Sequence, residues 1–189
     1  MSSKKSIKKN YIYNVMYQIL AIIIPVITTP YLSRVLGAEN IGIYSYTLSI
    51  ATYFILFGSL GVTLYGQREI AYVQDDIEKR SKTFFEIFFM KCITLFLAII
   101  IFYISFCMKG DYSIYYKILT LEIFANIIDI SWLLQGMEEF KKTVVRNTIV
   151  KLLGVICIFI FIKNPDDLYK YFLIYVLSLL SLNKTFYYK

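Results

Sequence analysis

The 189-residue sequence contains no histidine. That excludes an imidazole base, a histidine metal ligand and any H-E-x-x-H zinc motif. Charged side chains are also scarce, at 17% of the chain, where soluble domains average about 25%. The three cysteines, Cys92, Cys107 and Cys157, each lie inside an apolar run. Without a C-x-x-C spacing they form neither a disulfide framework nor a zinc site. No G-x-x-x-x-G-K-[ST] phosphate loop and no G-x-S-x-G elbow occurs, and no pair of soluble carboxylates suits glycoside hydrolysis. The sequence therefore predicts no catalytic residues, no metal, no cofactor and no ATPase of its own. There is no internal repeat and no low-complexity tract.

What is abundant is apolar. Hydrophobic residues make up 58% of the chain and the mean hydropathy is +0.62. The Ile, Leu, Phe and Tyr come in blocks too long for a water-soluble core to hide, and the same numbers exclude disorder. A membrane-crossing helix needs about 20 mostly apolar residues. Six stretches qualify, at about 11–33, 41–66, 83–108, 113–135, 147–163 and 168–183. Backbone groups within lipid must bond internally, so each is expected to be a helix, and no stretch has the period-two alternation of a membrane barrel. The expected fold is all-α, a polytopic bundle of six transmembrane helices in one unit covering residues 1–189.

The net charge of +7 fits membrane topology better than nucleic-acid binding, because the basic residues are unevenly placed. With the N-terminus inside, Arg34, Lys109, Lys117, Lys163 and Lys170 fall outside and Lys91 falls within a span. The remaining 14 of the 20 basic residues fall inside, which predicts cytoplasmic ends. The basic start, Met1 to Asn10, leads into an apolar run too long for a cleaved signal peptide. Tyr11, Tyr13, Tyr112, Tyr115, Tyr116, Tyr169 and Tyr171 sit at predicted helix ends, where an amphipathic ring suits the headgroup layer. Between spans, Ile70, Val73 and Ile77 form a narrow stripe within Gln67–Lys82, which reads either as a short helix lying on the inner surface or as a solvated loop.

Polar groups inside a span are expensive and mark candidate functional positions. Asn14 and Gln18 share one face of the first span, which also holds Pro25 and Pro30; these predict either a broken helix beside a cavity or a simple bend and stop. In the fourth span Glu122, Asn126 and Asp129 follow at spacings of four and three, on one helical face. A central Asp costs about 2.5–3.5 kcal/mol to insert, so that face is expected to meet a polar cavity, a cation or a neighbouring helix rather than lipid. Glu122 and Asp129, with Asn126, are candidate proton or cation carriers. Lys91, about two turns into the third span, reads as a cavity cation or an interface anchor, and Arg34 as a headgroup contact or an anchor. Glu86 is expected to snorkel to the cytoplasmic interface. Gly58 and Gly61, after Gly37 and Gly42, read as close-packing points between helices.

Particular strings carry a family resemblance. IPVITTPYLSRVLGAENIGIYSYTLSI at 24–50, LGVTLYGQREIA at 60–71 and DISWLLQGMEEFKKTVVRN at 129–147 resemble bacterial polysaccharide-unit flippases of the multidrug/oligosaccharidyl-lipid/polysaccharide exporter superfamily. Pro30, Arg34, Gly37, Gly42, Tyr65, Gly66, Arg68, Glu69, Trp132, Gln135, Gly136 and Phe140 stand in that pattern, and the similarity runs to about residue 182. The resemblance implies a MATE-like fold of two six-helix lobes around a central cavity, with this chain as the N-terminal lobe. It implies that a polyprenyl-diphosphate-linked oligosaccharide is turned across the bacterial cytoplasmic membrane for O-antigen, lipopolysaccharide or capsule assembly. It further implies a proton or sodium gradient as the energy source. Membrane lipids, the lipid-linked substrate and a C-terminal half are then the expected partners, and nucleic acid is not. Arg34 and Lys91, with Asn14 and Gln18, are the candidate substrate ligands. Six spans make one lobe, so the isolated chain is expected to insert without transporting. A drug/cation antiporter lobe of the same superfamily, a membrane glycosyltransferase or polymerase, and a non-catalytic subunit of a polysaccharide assembly complex remain as alternatives.

Overall fold

A computed structural model describes the backbone of residues 7–108, 110–137 and 140–184, and the side chains of 15–108, 110–137 and 144–181. The described residues form helices and turns, with no strand among them. Helix α1 covers Ile7–Ser59, α2 Val62–Tyr72, α3 Ile77–Phe102, α4 Ser113–Ile128, α5 Ser131–Gly136, α6 Phe140–Phe161 and α7 Leu168–Lys184. A π turn, Tyr103–Cys107, ends α3, and a 3-10 turn, Pro165–Asp167, precedes α7.

Helix α1, at 53 residues, is too long for one pass and leaves helical dihedrals at Gly37, with φ 81° and ψ 165°. That backbone suits a residue without a Cβ. The break lies at the glycine, while Pro25 and Pro30 stay within the helical first arm. Cross-chain contacts give the sense of each arm. Lys151 lies over the Tyr17 ring, and the Tyr31 ring meets Phe159, so the first arm runs parallel to α6. Asn40 donates to the Pro165 carbonyl and Tyr44 meets Tyr175, so the second arm runs parallel to α7. Helices α6 and α7 are antiparallel, with Gly154 beside Ser178. The chain therefore folds back at Gly37; the expected stretch 11–33 lies on the first arm, whereas 41–66 leaves the second arm at Ser59, crosses a turn at Leu60 and Gly61 and ends in α2.

Four helical stretches among the described residues are long and apolar enough to cross a membrane: Val15–Tyr72, Ile77–Cys107, Ser113–Gly136 and Val144–Phe161. The 58-residue first stretch contains both arms of α1. Ile22, Val26, Phe57, Ile93 and Ile160 are among the many large apolar side chains left more than half exposed. An outward apolar surface is what lipid requires and water penalises. The buried core is thin by comparison. Leu36, Ala51, Leu95, Phe102, Leu119, Ile123 and Phe172 form its larger cluster.

A second cluster joins α2 to α5 and corrects one expectation. Ile70 is fully buried beside Val62, Ile87 and Trp132, whereas Ile77 opens α3 and is 69% exposed. The apolar side of α2 thus packs on protein, and Ile70, Val73 and Ile77 do not form a membrane-facing stripe, because the helix ends at Tyr72 and the chain turns. Two glycines permit the approach. A Cβ on Gly66 would lie 2.6 Å from the Trp132 ring, and one on Gly136 would lie 2.8 Å from the Gln67 carbonyl oxygen. Gly58 packs likewise on Leu95 and Ala98, but Gly61 has open space around it and serves a left-handed turn, with φ 70°.

Two predictions follow from this packing and from the α6–α7 turn. Gly66→Ala is expected to lower stability by about 1–3 kcal/mol through overpacking, while Gly42→Ala, with nothing within 4 Å of its new methyl, leaves it unchanged or slightly raised. Thermal unfolding in detergent, followed by Trp132 fluorescence, separates the two. In the turn, the Asp167 carboxylate accepts the Lys170 ammonium and the Lys163 and Asn164 N–H groups. These donors, the lysine foremost, hold its pKa at about 2 rather than the ordinary 3.8. A depressed folded pKa stabilises above the unfolded value and is lost as pH falls through the folded one. The melting-temperature advantage of the parent over Asp167→Ala should therefore be constant above pH 4 and shrink toward pH 2.

Candidate functional site

Helix α4 brings the costly residues together at two levels. At the upper level, Glu122 is 4% exposed. Its Oε1 accepts the Tyr175 hydroxyl of α7 at 2.8 Å, while Oε2 is buried without a hydrogen-bond partner. Tyr175 stands edge-on to Tyr44, which in turn lies 4.5 Å from the Tyr171 ring. The carboxyl is thus held by one phenol within an aromatic wall. One turn along, the Asn126 amide donates to the Glu122 carbonyl at 3.1 Å.

The lower level begins where α4 stops. The expected stretch 113–135 is not one continuous helix. Asp129 keeps its N–H bond to Ala125 but turns to ψ 109°, and α5 begins at Ser131. The Asp129 Oδ1 accepts both the N–H and the hydroxyl of Ser131, an Asx-type turn that fixes the break. Its carbonyl accepts the Lys91 ammonium at 2.8 Å, and Lys91 is only 2% exposed. A helix C-terminus carries unsatisfied carbonyls and partial negative charge, so a buried cation is favourably placed there. From α6, Arg146 donates to the Ser131 hydroxyl at 3.3 Å and, by two N–H groups, to the Asn147 side-chain oxygen at 3.1 and 2.9 Å.

These groups surround a cavity of about 140 Å³ lined by Ala125, Asn126, Asp129, Ser131, Arg146, Asn147 and Leu179. The wall mixes one carboxylate, one guanidinium, two carboxamides and a hydroxyl with two apolar side chains. Of the sequence candidates, Asn126 and Asp129 line this cavity, Glu122 lies one turn beyond it, and Lys91 braces the break from behind. Arg34 and Gln18 are exposed and do not line it. The Asn14 side chain lies outside the described residues. No group of three or more metal-ligating side chains occurs among the described residues.

Sequence reasoning missed Arg146, Asn147 and Tyr175. Arg146 reads as one more cytoplasmic charge beside Lys141 and Lys142, and a tyrosine hydroxyl gives no sign of its partner. The break at Asp129 carries no proline or glycine to announce it.

The polysaccharide biosynthesis protein family model matches residues 7–186. The chain belongs to this family. Curated relatives include proteins named "Putative O-antigen transporter" in Escherichia coli K12, Shigella dysenteriae and Shigella flexneri. The first is 27% identical over 88% of this chain, the second 27% over 76% and the third 28% over 82%. The matched part is 41%, 37% and 41% of those proteins, so the chain spans about two fifths of their length. No solved structure matches the chain significantly. For this member of the family, the polar levels along α4 are the site its geometry offers.

The Glu122–Tyr175 bond gives a direct test of that geometry. Tyr175→Phe leaves both carboxyl oxygens unpartnered and should cost about 1–3 kcal/mol. Glu122→Gln in the same background should recover part of that loss, because a neutral amide is cheaper to bury. A double-mutant cycle on detergent unfolding measures the coupling.

Proposed function

We propose that the chain is the six-pass N-terminal lobe of a flippase that carries a polyprenyl-diphosphate-linked oligosaccharide across the bacterial cytoplasmic membrane, with both ends of the lobe cytoplasmic. The observation that carries this reading is a polar cavity built inside apolar helices, in a chain whose family membership extends over residues 7–186. Polar groups within apolar helical stretches are costly and mark candidate functional positions, and here a carboxylate, a guanidinium and two carboxamides gather on one cavity. The O-antigen transporter names of the relatives supply the substrate class. The reversal at Gly37 supports two passes within α1; in this reading the 17-residue α7, which is not among the four long apolar stretches, would be the sixth.

In this reading the lobe forms one wall of the substrate path, and a proton or sodium gradient drives the cycle. Of the three coupling candidates, Glu122 is favoured as the ion carrier. Its Oε2 is buried without a hydrogen-bond partner, while Asp129 already receives two donors on one oxygen. Asn126 connects the two levels. Arg34, exposed near the fold-back at Gly37, is placed to meet an anionic headgroup or diphosphate at the outer end. Lys91 acts by holding the α4–α5 break, and Arg146 takes over as the cavity cation.

The reading is tested by binding to the chain in lipid nanodiscs. A fluorescent polyprenyl-diphosphate oligosaccharide should bind saturably and be displaced by its unlabelled form, but not by the small cation tetraphenylphosphonium. Displacement by the cation alone would replace this reading with a drug/cation antiporter.

A further inference from the structure

The cavity at the α4–α5 break has a composition that separates two parts of such a substrate. Its volume of about 140 Å³ holds roughly four or five waters at about 30 Å³ each, enough for one ring and too little for an oligosaccharide or a prenyl chain. A diphosphate offers only acceptor oxygens and negative charge. It would be well received by clustered cations and N–H donors. This wall is different. Asp129 brings a carboxylate, which accepts only. The Asn126 amide donates one N–H to the Glu122 carbonyl, leaving its oxygen and a second N–H available. Arg146 is the sole cation in the lining, and the nearby Lys91 is committed to the Asp129 carbonyl. The lining charge cancels, and acceptors stand beside donors.

A sugar hydroxyl both donates and accepts, so a ring with several hydroxyls satisfies such a wall where a phosphate would meet Asp129 with like charge. Ala125 and Leu179 complete the lining with apolar surface suited to the C–H face of a ring. We propose that this cavity is a subsite for the hydroxyl groups of one neutral sugar ring, with Asp129, Asn126 and Asn147 as its reading residues and the diphosphate held elsewhere. The proposal rests on the transporter reading above for its substrate and on the cavity for its chemistry.

The single tryptophan, Trp132, follows the lining residue Ser131 and reports on the site. The full chain in detergent is titrated with glucose, galactose and N-acetylglucosamine, and separately with inorganic pyrophosphate, while Trp132 emission is followed. At least one neutral sugar should give a saturable change in the millimolar range, and pyrophosphate should neither reproduce nor displace it. Asn147→Ala and the cavity-filling Leu179→Phe should each weaken sugar binding tenfold or more. Each variant's melting temperature, measured alongside, shows that it is folded. Binding of pyrophosphate that competes with sugar, absence of a response to all three sugars, or sugar binding unchanged in both folded variants would overturn the proposal. Sugar binding that survives while the lipid-linked oligosaccharide fails to bind would instead overturn the transporter reading and leave the subsite standing.

Discussion

The hydrogen bond from Lys91 to the Asp129 carbonyl is the contact on which the interior of this protein depends. A helix that stops within an apolar stretch leaves carbonyls without their helical partners, which is costly unless another donor takes them. Here α4 stops at Ile128 and the chain resumes as α5 at Ser131. Lys91 takes one orphan carbonyl and the Asp129 side chain takes the first N–H of α5. One residue thus closes both sides of the break, its backbone facing a cation and its carboxylate facing the next helix. The ammonium in turn is buried with a carbonyl ligand and the helix's negative end, which makes its position tolerable.

The break has consequences on both sides. Because α5 restarts at a new angle, Trp132 reaches α2 and lies stacked on Phe84, 5.5 Å between centroids, and Gly66 and Gly136 remove the side chains that would block it. On the other side, the same break leaves Ser131 and Asp129 open toward α6, where Arg146 and Asn147 close the cavity. A continuous helix through 129–131 would not set the Asp129 carboxylate across the Ser131 N–H and hydroxyl as the break does. The α2–α5 contact and the polar site are therefore two faces of one backbone event.

Composition and run length were enough to read the helical class, and the spacing of Glu122, Asn126 and Asp129 was enough to find the polar side of α4. Period alone could say this because a costly residue every turn has one sensible direction to face. The remainder depended on pairings between distant segments. Gly37 falls in the expected gap between two spans, yet only its positive φ reveals how tightly the arms are joined. Ile70 reads as part of a surface stripe or a solvated loop and lies instead in the core, since periodicity marks an apolar face without naming what covers it. Arg146 was hidden among loop charges because helix α6 begins earlier than the apolar run that announces it.

The two levels of α4 differ in what they can do with charge. Glu122 is surrounded by tyrosines whose hydroxyls are weak acids and poor sources of counter-charge, so adding or removing a proton there changes the local charge outright. Asp129 has the cations Lys91 and Arg146 nearby, and its Oδ1 holds the break through Ser131. In the proposed reading the first environment suits a carrier and the second a recognition pocket. Asn126 joins them, donating to the Glu122 carbonyl while lining the cavity. The two levels are thus one turn of helix and a single carboxamide apart.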